Sequence, residues 1–312
     1  MSTTTISGPH THGNLAVYFV HAPDSLDTSG YMTLEEALDR KQVVVHETGH
    51  VGELLVENLL ADKDLLIIAG EIVRGGRQDR VLGVDFIVPA AGKLPIPSFC
   101  VESGRWHRRA AESAADFSSA KHYLASKGLK MAARVRRSQG AVWEGVTKAQ
   151  DQLADTLQES VSSTASPSSY ELTLGHEKVL AHQAEYVKAL TGALADKPDV
   201  VGFVFAVNGR LNSGEVYASA ALFRRYWDKH LKAAAVEALA EARRGAAAPA
   251  PPAVDDVQAL FERADKGPAE TRQVSGRVTL QTRRAARDVV FETHDTARAG
   301  TALHRNYLVD VE

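Results

Sequence analysis

Apolar positions in this chain fall mainly in short, β-branched runs separated by glycine, proline and acidic turns. Helical spacing appears only in the middle of the chain and after residue 219. The run Leu15-Ala-Val-Tyr-Phe-Val20 predicts a first strand, and the small, polar residues 1–13 before it predict a flexible N-terminus. Thr33-Leu-Glu-Glu36 has the spacing of a capping box, in which hydroxyl and carboxylate each serve the other's backbone amide, so a short helix is expected from Leu34 to about Lys41. Residues 42–47 and 52–58 then alternate as two strands about a turn near Gly49. Two further apolar runs, 65–73 and 80–88, predict a hairpin closed at Gly75-Gly76; a two-residue turn there sets Arg74 opposite Arg77 and Glu71 opposite Arg80. Pro95 and Pro97 confine residues 94–101 to an edge strand or irregular segment.

Residues 110–130 have few large apolar side chains and predict an exposed excursion. A helix is expected over 139–160, with Trp143, Val146, Leu153 and Leu157 on one stripe, and a second over 175–194, separated by a Ser/Thr/Pro loop at 162–169. A second strand pair, 200–207 and 215–218, turns at Asn208-Gly209, and Ser219 is placed to cap a long helix reaching Arg244. The Ala/Pro tract 246–253 predicts an insertion or semi-rigid linker, followed by a helix at 254–264 and three strand-like pieces. Strands in clusters and helices in blocks, without regular alternation, indicate an α+β protein with mainly antiparallel sheets and helices packed on them. The expected organisation is one large domain over 14–312, with a hint of two related halves in the strand pairs at Leu65 and Val200.

Composition narrows the function classes. The 312 residues carry a formal charge of -3, so there is no global basic excess to drive nucleic-acid or membrane-surface binding. Cys100 is the only cysteine, which excludes an intrachain disulfide and a zinc ribbon and suits a reducing, cytoplasmic compartment. No apolar run approaches the length of a membrane span, and the first thirty residues show no signal-peptide pattern.

The stretch 65–106 carries more charge than a structural hairpin requires. Arg74 facing Arg77 is a like-charge pair that invites an anion between them. Gly75 and Gly76 permit backbone amides to converge as an anion nest, and Gln78, Asp79 and Arg80 add polar groups within reach. Arg105, with Arg108 and Arg109, is expected to return nearby, and Trp106 offers a stacking face for a base or ribose. Guanidinium forks match phosphate oxygens, so the group suits a phosphate or nucleotide diphosphate; the plainer reading is a basic hairpin tip paired internally with Glu71 and Asp79. Glu71 and Glu102 are candidates for general acid and base, against a plainer role of neutralising arginines. Cys100, flanked by Phe99 and Val101, reads as a small buried residue.

His46-Glu-Thr-Gly-His50 matches the HExxH zinc-hydrolase pattern by letter. That chemistry needs both histidines on one helical face, and Val43-Val-Val45 with Thr48 and Gly49 predicts strand and turn instead. His10 and His12, on one strand face, are further metal candidates in a region expected to be loose.

Several of these residues also resemble a known family, the ADP-ribosylglycohydrolase- and rhodanese-phosphatase-associated protein domain. The resemblance covers most of the chain and rests on Gly70-Glu71, Gln78-Asp-Arg-Val-Leu82, Ile96-Pro97, Cys100-Val-Glu102, Gly104-Arg-Trp106, Gly202-Phe203, Asn208-Gly209, Leu222-Phe223 with Trp227, and His304. It implies that the part beyond the Ala/Pro tract belongs to the same domain, that the 70–80 and 100–106 motifs form the site, and that ADP-ribose or NAD-derived nucleotides are the associated chemistry. The resulting expectation is a protein that binds, and in a stronger form processes, a small anionic ribonucleotide. Two alternatives stand beside it: a non-catalytic interaction or scaffold protein with an internal salt-bridge network, and a zinc hydrolase using His46, Glu47 and His50. Whether the chain is an enzyme, and what cofactor or protein partner it takes, stays open.

Overall fold

A computed structural model describes residues 4–104, 117–243, 245, 248–298 and 300–310. The chain divides into two compact units: Ser29–Gln183 is inserted into a frame made by Met1–Thr28 and Ala184–Glu312. The class is α+β, and among the described residues every strand pair is antiparallel except one. Among the described residues no helix is long and apolar enough to cross a membrane.

The frame begins with β1 (Thr5–His12) and β2 (Leu15–His21). Here the expected flexible N-terminus needs correction. Residues 5–12 form an edge strand, with Thr5 opposite His21 and His12 opposite Leu15. Polar composition misled, because an edge strand has only to satisfy the amides and carbonyls of its neighbour and does not need an apolar run of its own.

The inserted unit starts with β3 (Tyr31–Thr33) and α1 (Leu34–Asp39), where Thr33 and Glu36 make the expected capping box. The strands β4 (Val43–Glu47) and β5 (Glu53–Asn58) pair as predicted. Next come β6 (Asp64–Ile67), β7 (Glu71–Arg74), β8 (Arg80–Leu82), β9 (Phe86–Val88), β10 (Lys93–Cys100) and β11 (Ser118–Leu124). They build a six-stranded sheet, β11-β7-β8-β10-β5-β4, and a three-stranded one, β3-β6-β9, in which β3 and β6 run parallel. Part of the segment expected to be an excursion is therefore strand: residues 118–124 extend the sheet beyond β7. α2 (Lys127–Lys130) runs into a π-helical turn, Met131–Arg136, before α3 (Gln139–Leu157), which buries Val142, Val146, Leu153 and Leu157, with Val142 on the stripe in place of the expected Trp143. α4 (Tyr170–Leu174) and α5 (Glu177–Leu190) follow.

The frame resumes with β12 (Val200–Val207) and β13 (Arg210–Tyr217), joined through Asn208 and Gly209, both at positive φ as a tight hairpin turn requires. After α6 (Ala220–Ala240) and α7 (Val254–Asp265) come β14 (Ala269–Gln273), β15 (Val278–Ala285), β16 (Asp288–Asp295) and β17 (Ala302–Leu308). The sheet order is β1-β2-β12-β13-β17-β16-β15-β14. The two strand pairs that hinted at related halves thus fall in different units with different sheet orders.

Both faces of the frame's central strands are covered, which explains why β12 is apolar and buried at every position. Phe19 and Phe203 meet Trp227 of α6, while their neighbours Tyr18 and Val204 pack with Val257, Leu260 and Phe261 of α7. The Ala/Pro tract joins these two covering helices. Its described part is docked: Tyr18 donates to the Pro252 carbonyl, and a Cβ on Gly209 would lie 2.8 Å from the Ala250 oxygen. The tract rounds the β12–β13 turn, where Asn208 Nδ2 donates to the Glu241 carbonyl at 2.9 Å.

α6 starts at Ser219, whose hydroxyl accepts the Leu222 N–H at 3.1 Å and shares a 2.6 Å hydrogen bond with the Thr28 hydroxyl. Ser219→Ala removes the cap and leaves Thr28 buried without that partner. A loss of about 1–2 kcal/mol is expected in urea unfolding; an unchanged midpoint would contradict the assignment.

Candidate functional site

The hairpin at the centre of the inserted unit forms in a register different from the expected one. Val73 faces Arg80 and Ile72 faces Val81, so the two-residue turn is replaced by a five-residue loop over 75–79, and the pairs Arg74–Arg77 and Glu71–Arg80 do not form across the strands. The loop closes when the Asp79 carboxylate accepts the Gly75 N–H at 3.1 Å. Gly76 (φ 57°) is required by close approach as well as conformation, since a Cβ there would stand 2.5 Å from Glu47 Oε1 and 2.5 Å from the Phe117 ring.

The same register continues into β6 and β9, where Leu65 faces Val88 and Ile67 faces Phe86. One long hairpin is therefore shared between two sheets, with a break at residues 68–70 and 83–85. Buried carboxylates take up the amides exposed by the break: Glu71 Oε2 accepts the Ile68 N–H at 3.0 Å, and Asp85 Oδ1 accepts the Ala69 N–H at 2.8 Å. Asp85 also lies 3.5 Å from the Arg134 guanidinium, presented by the π-helical turn. Lys130 is buried over Gly70 (φ 94°), whose Cβ would fall 2.6 Å from the lysine Cε.

Arg80 has no exposed surface. Its Nη1 donates to Gln78 Oε1 at 3.3 Å and to Cys100 Sγ at 2.8 Å, and its Nη2 stands 3.5 Å from Glu47 Oε2; Nε has no partner among the described residues. The Cys100 thiol in turn donates to Gln78 Oε1 at 2.9 Å. Burial pushes that thiol up to about 11, with Arg80 pulling the other way, so it stays protonated and serves as a packing and hydrogen-bonding group. Gln139 of α3 clamps Cys100 by both backbone groups, at 2.9 and 2.8 Å. Gln78 Nε2 donates to the Glu102 carbonyl at 3.0 Å, and the Val101 N–H donates to the Asp79 carbonyl at 3.1 Å. These bonds join the 78–82 and 100–102 motifs, and the Gly70 N–H, donating to the Leu82 carbonyl at 2.8 Å, ties the 70–71 motif to them.

Two amides of the glycine loop are taken by different carboxylates of the chain itself, Gly75 by Asp79 and Arg77 by Glu47. The Arg77 N–H donates to Glu47 Oε1 at 2.9 Å, so the carboxylate of Glu47 lies between that amide and Arg80. Arg77 is exposed, and Arg74 reaches Glu171 of α4 at 3.2 Å. Glu71, Asp79 and Glu102 are fully buried. Arg105 and Trp106, with Arg108 and Arg109, lie outside the described residues.

The HETGH motif is strand and turn, as its composition predicts. His46 bonds Glu57 at 2.9 Å while Glu47 turns to the glycine loop, so neighbouring residues of β4 serve opposite sides. His50 lies in the exposed turn. His10 and His12, on β1, contact Phe19 and Tyr186 at 5.3 and 5.0 Å between ring centres. Among the described residues no group of three or more His, Cys, Asp or Glu is placed to hold a metal ion. His304 belongs to the frame, where its Nε2 meets Glu215 Oε2 at 2.8 Å, buried.

With the motifs assembled, the comparison with known families is decisive. The profile of the ARG and Rhodanese-Phosphatase-superfamily-associated Protein domain, ARPP-1, matches residues 3–308. The chain belongs to the ARPP-1 family. The match takes in both compact units and the Ala/Pro tract between α6 and α7. No curated protein and no solved structure matches the chain.

Sequence reasoning missed Glu47, Asp85, Lys130, Arg134 and Gln139 as members of this cluster. Asp85 alone carried a legible signal, an acid inside the apolar run 80–88.

Two outcomes follow from the packing. Gly70→Ala forces a Cβ into Lys130 at positive φ and is expected to cost about 2–4 kcal/mol in denaturant unfolding; a cost near zero would contradict the close approach. Cys100 should resist iodoacetamide in the native protein and react fully once unfolded, whereas rapid native labelling would contradict its burial.

Proposed function

We propose that this ARPP-1 protein binds a small anionic ribonucleotide, of the ADP-ribose kind, at the loop joining β7 and β8. The observation that carries the reading is the Glu47 carboxylate held by the Arg77 amide at 2.9 Å and facing Arg80 at 3.5 Å. The loop is built to receive an anion, and its occupant is a side chain from β4 that keeps 24% of its surface exposed. A ligand phosphate exchanges with that carboxylate. It gains the bidentate fork of the exposed Arg77, and it carries more charge than Glu47 to set against the buried Arg80. The family's name supports the ligand class, since its ARG element refers to ADP-ribosylglycohydrolase association.

The reading is one of binding. Glu71 and Glu102 are fully buried, and one Glu71 oxygen is engaged by the Ile68 amide, so both suit the hairpin's architecture better than proton transfer to a substrate from solvent. The divergence of His46 and Glu47 gives the zinc-hydrolase reading no support. A scaffold reading keeps one specific observation in its favour: Arg74 is paired with Glu171, Arg134 with Asp85, and Arg80 lies among Gln78, Cys100 and Glu47.

Calorimetry separates the two. ADP-ribose and ADP are expected to bind the wild type, Glu47→Gln to bind them several-fold more tightly because the internal competitor is weakened, and Arg77→Ala about tenfold less tightly. Silence from every nucleotide and from pyrophosphate, in wild type and Glu47→Gln alike, would sink the anion site and leave the internal network.

A further inference from the structure

The frame contains a second candidate site, independent of the glycine loop. α7 covers one face of the eight-stranded sheet incompletely, because twelve residues of helix cannot span it. Beside its last turns lies a cavity of about 520 Å³, within the range of small-molecule sites. The floor is apolar, formed by Val20, Val201 and Val216 from three adjacent strands and by Ala22 just past the end of β2, with Phe261 of α7 as a wall. One end is polar: Asp265, the last residue of α7, faces Arg305 and Tyr307 of β17.

Charge balance at that end restricts the ligand. Glu262 and Asp265 line it and Glu292 backs it, while Lys266 and Arg305 line it and Arg283 backs it, so acids and bases are equal in number. Glu292 is shared, meeting Arg283 Nε at 3.0 Å and Arg305 Nη2 at 3.0 Å. A lone cation or a lone anion would unbalance this group. A molecule with adjacent opposite charges matches it, with an ammonium on Asp265 and a carboxylate on Arg305 and Lys266. The C-terminal carbonyls of α7 add partial negative charge at Asp265, on the ammonium side. Burial raises the Asp265 carboxyl above its ordinary range even though Arg305 opposes the shift, so the carboxylate form gains from an added cation.

We infer that this cavity binds a free α-amino acid with an apolar side chain, its charged groups spanning Asp265 and Arg305 and its side chain lying on Val20, Val201 and Val216. The zwitterion meets the paired charges and the apolar floor takes the remainder, which neither a nucleotide nor a simple fatty acid does equally well.

Calorimetry on the full chain with L-leucine and L-phenylalanine tests this, with 4-methylpentanoate and 3-methylbutylamine as the two half-molecules of leucine. Saturable binding of at least one amino acid is expected, with each half-molecule at least tenfold weaker. Val216→Phe fills the floor and should abolish binding without lowering the melting temperature; Asp265→Asn and Arg305→Gln, at the rim, should each weaken it at least tenfold while the protein stays folded. Absence of amino-acid binding, equal binding by either half-molecule, or unchanged affinity in the folded rim variants would overturn the inference.

Discussion

A guanidinium without exposed surface has to be given acceptors by the chain around it, and in the inserted unit that demand falls on Arg80. Its contacts come from the loop before it, through Gln78; from β10, through Cys100; and from β4, through Glu47. Removing a single partner from a buried ionic group typically costs about 3–5 kcal/mol, because the remaining charge is stranded in a poor solvent. The neighbouring constraints follow from this. Gln78 must orient its amide between Arg80 and Glu102, Cys100 must be clamped by Gln139, and Gly76 must lack a side chain so that Glu47 can approach.

The break in the long hairpin has the same logic. A hairpin shared between two sheets leaves the amides of residues 68 and 69 to side-chain acceptors, and acids supply them. Each acid then requires compensation in its turn, which Arg134 gives to Asp85 from the π-helical turn. Charge is concentrated here as a consequence of geometry: the sheet changes direction, the backbone loses partners, and ionised side chains restore them.

The frame is stabilised differently. Its central strands are sandwiched between α6 and α7, and the polar groups buried among them are paired, as His304 is with Glu215 and Tyr217 with His230. The Ala/Pro tract matters because it carries the chain from one face to the other. Its fixed backbone reduces the freedom lost when it docks against Tyr18 and Gly209. The uncovered ground beside α7 is what remains when a short helix covers a wide sheet.

Local signals in the sequence were sufficient for the capping box at Thr33, the Asn208-Gly209 turn, the cap at Ser219, the antiparallel α+β class and the strand character of HETGH, because each depends on residues within a few positions of one another. The family was legible too, since its motifs are short. The tertiary structure decided the rest. Residues 5–12 became a strand because β2 offered an unpaired edge, which no property of those residues announces. The hairpin register differs by two positions from the expected one, and the wide loop it leaves takes Glu47, thirty residues upstream of Arg77. The expected facing of Arg74 and Arg77 does not form, and the Glu47 carboxylate lies instead against the Arg77 amide and Arg80, which only the fold could show, since a charge brought in from another strand leaves no trace in local spacing.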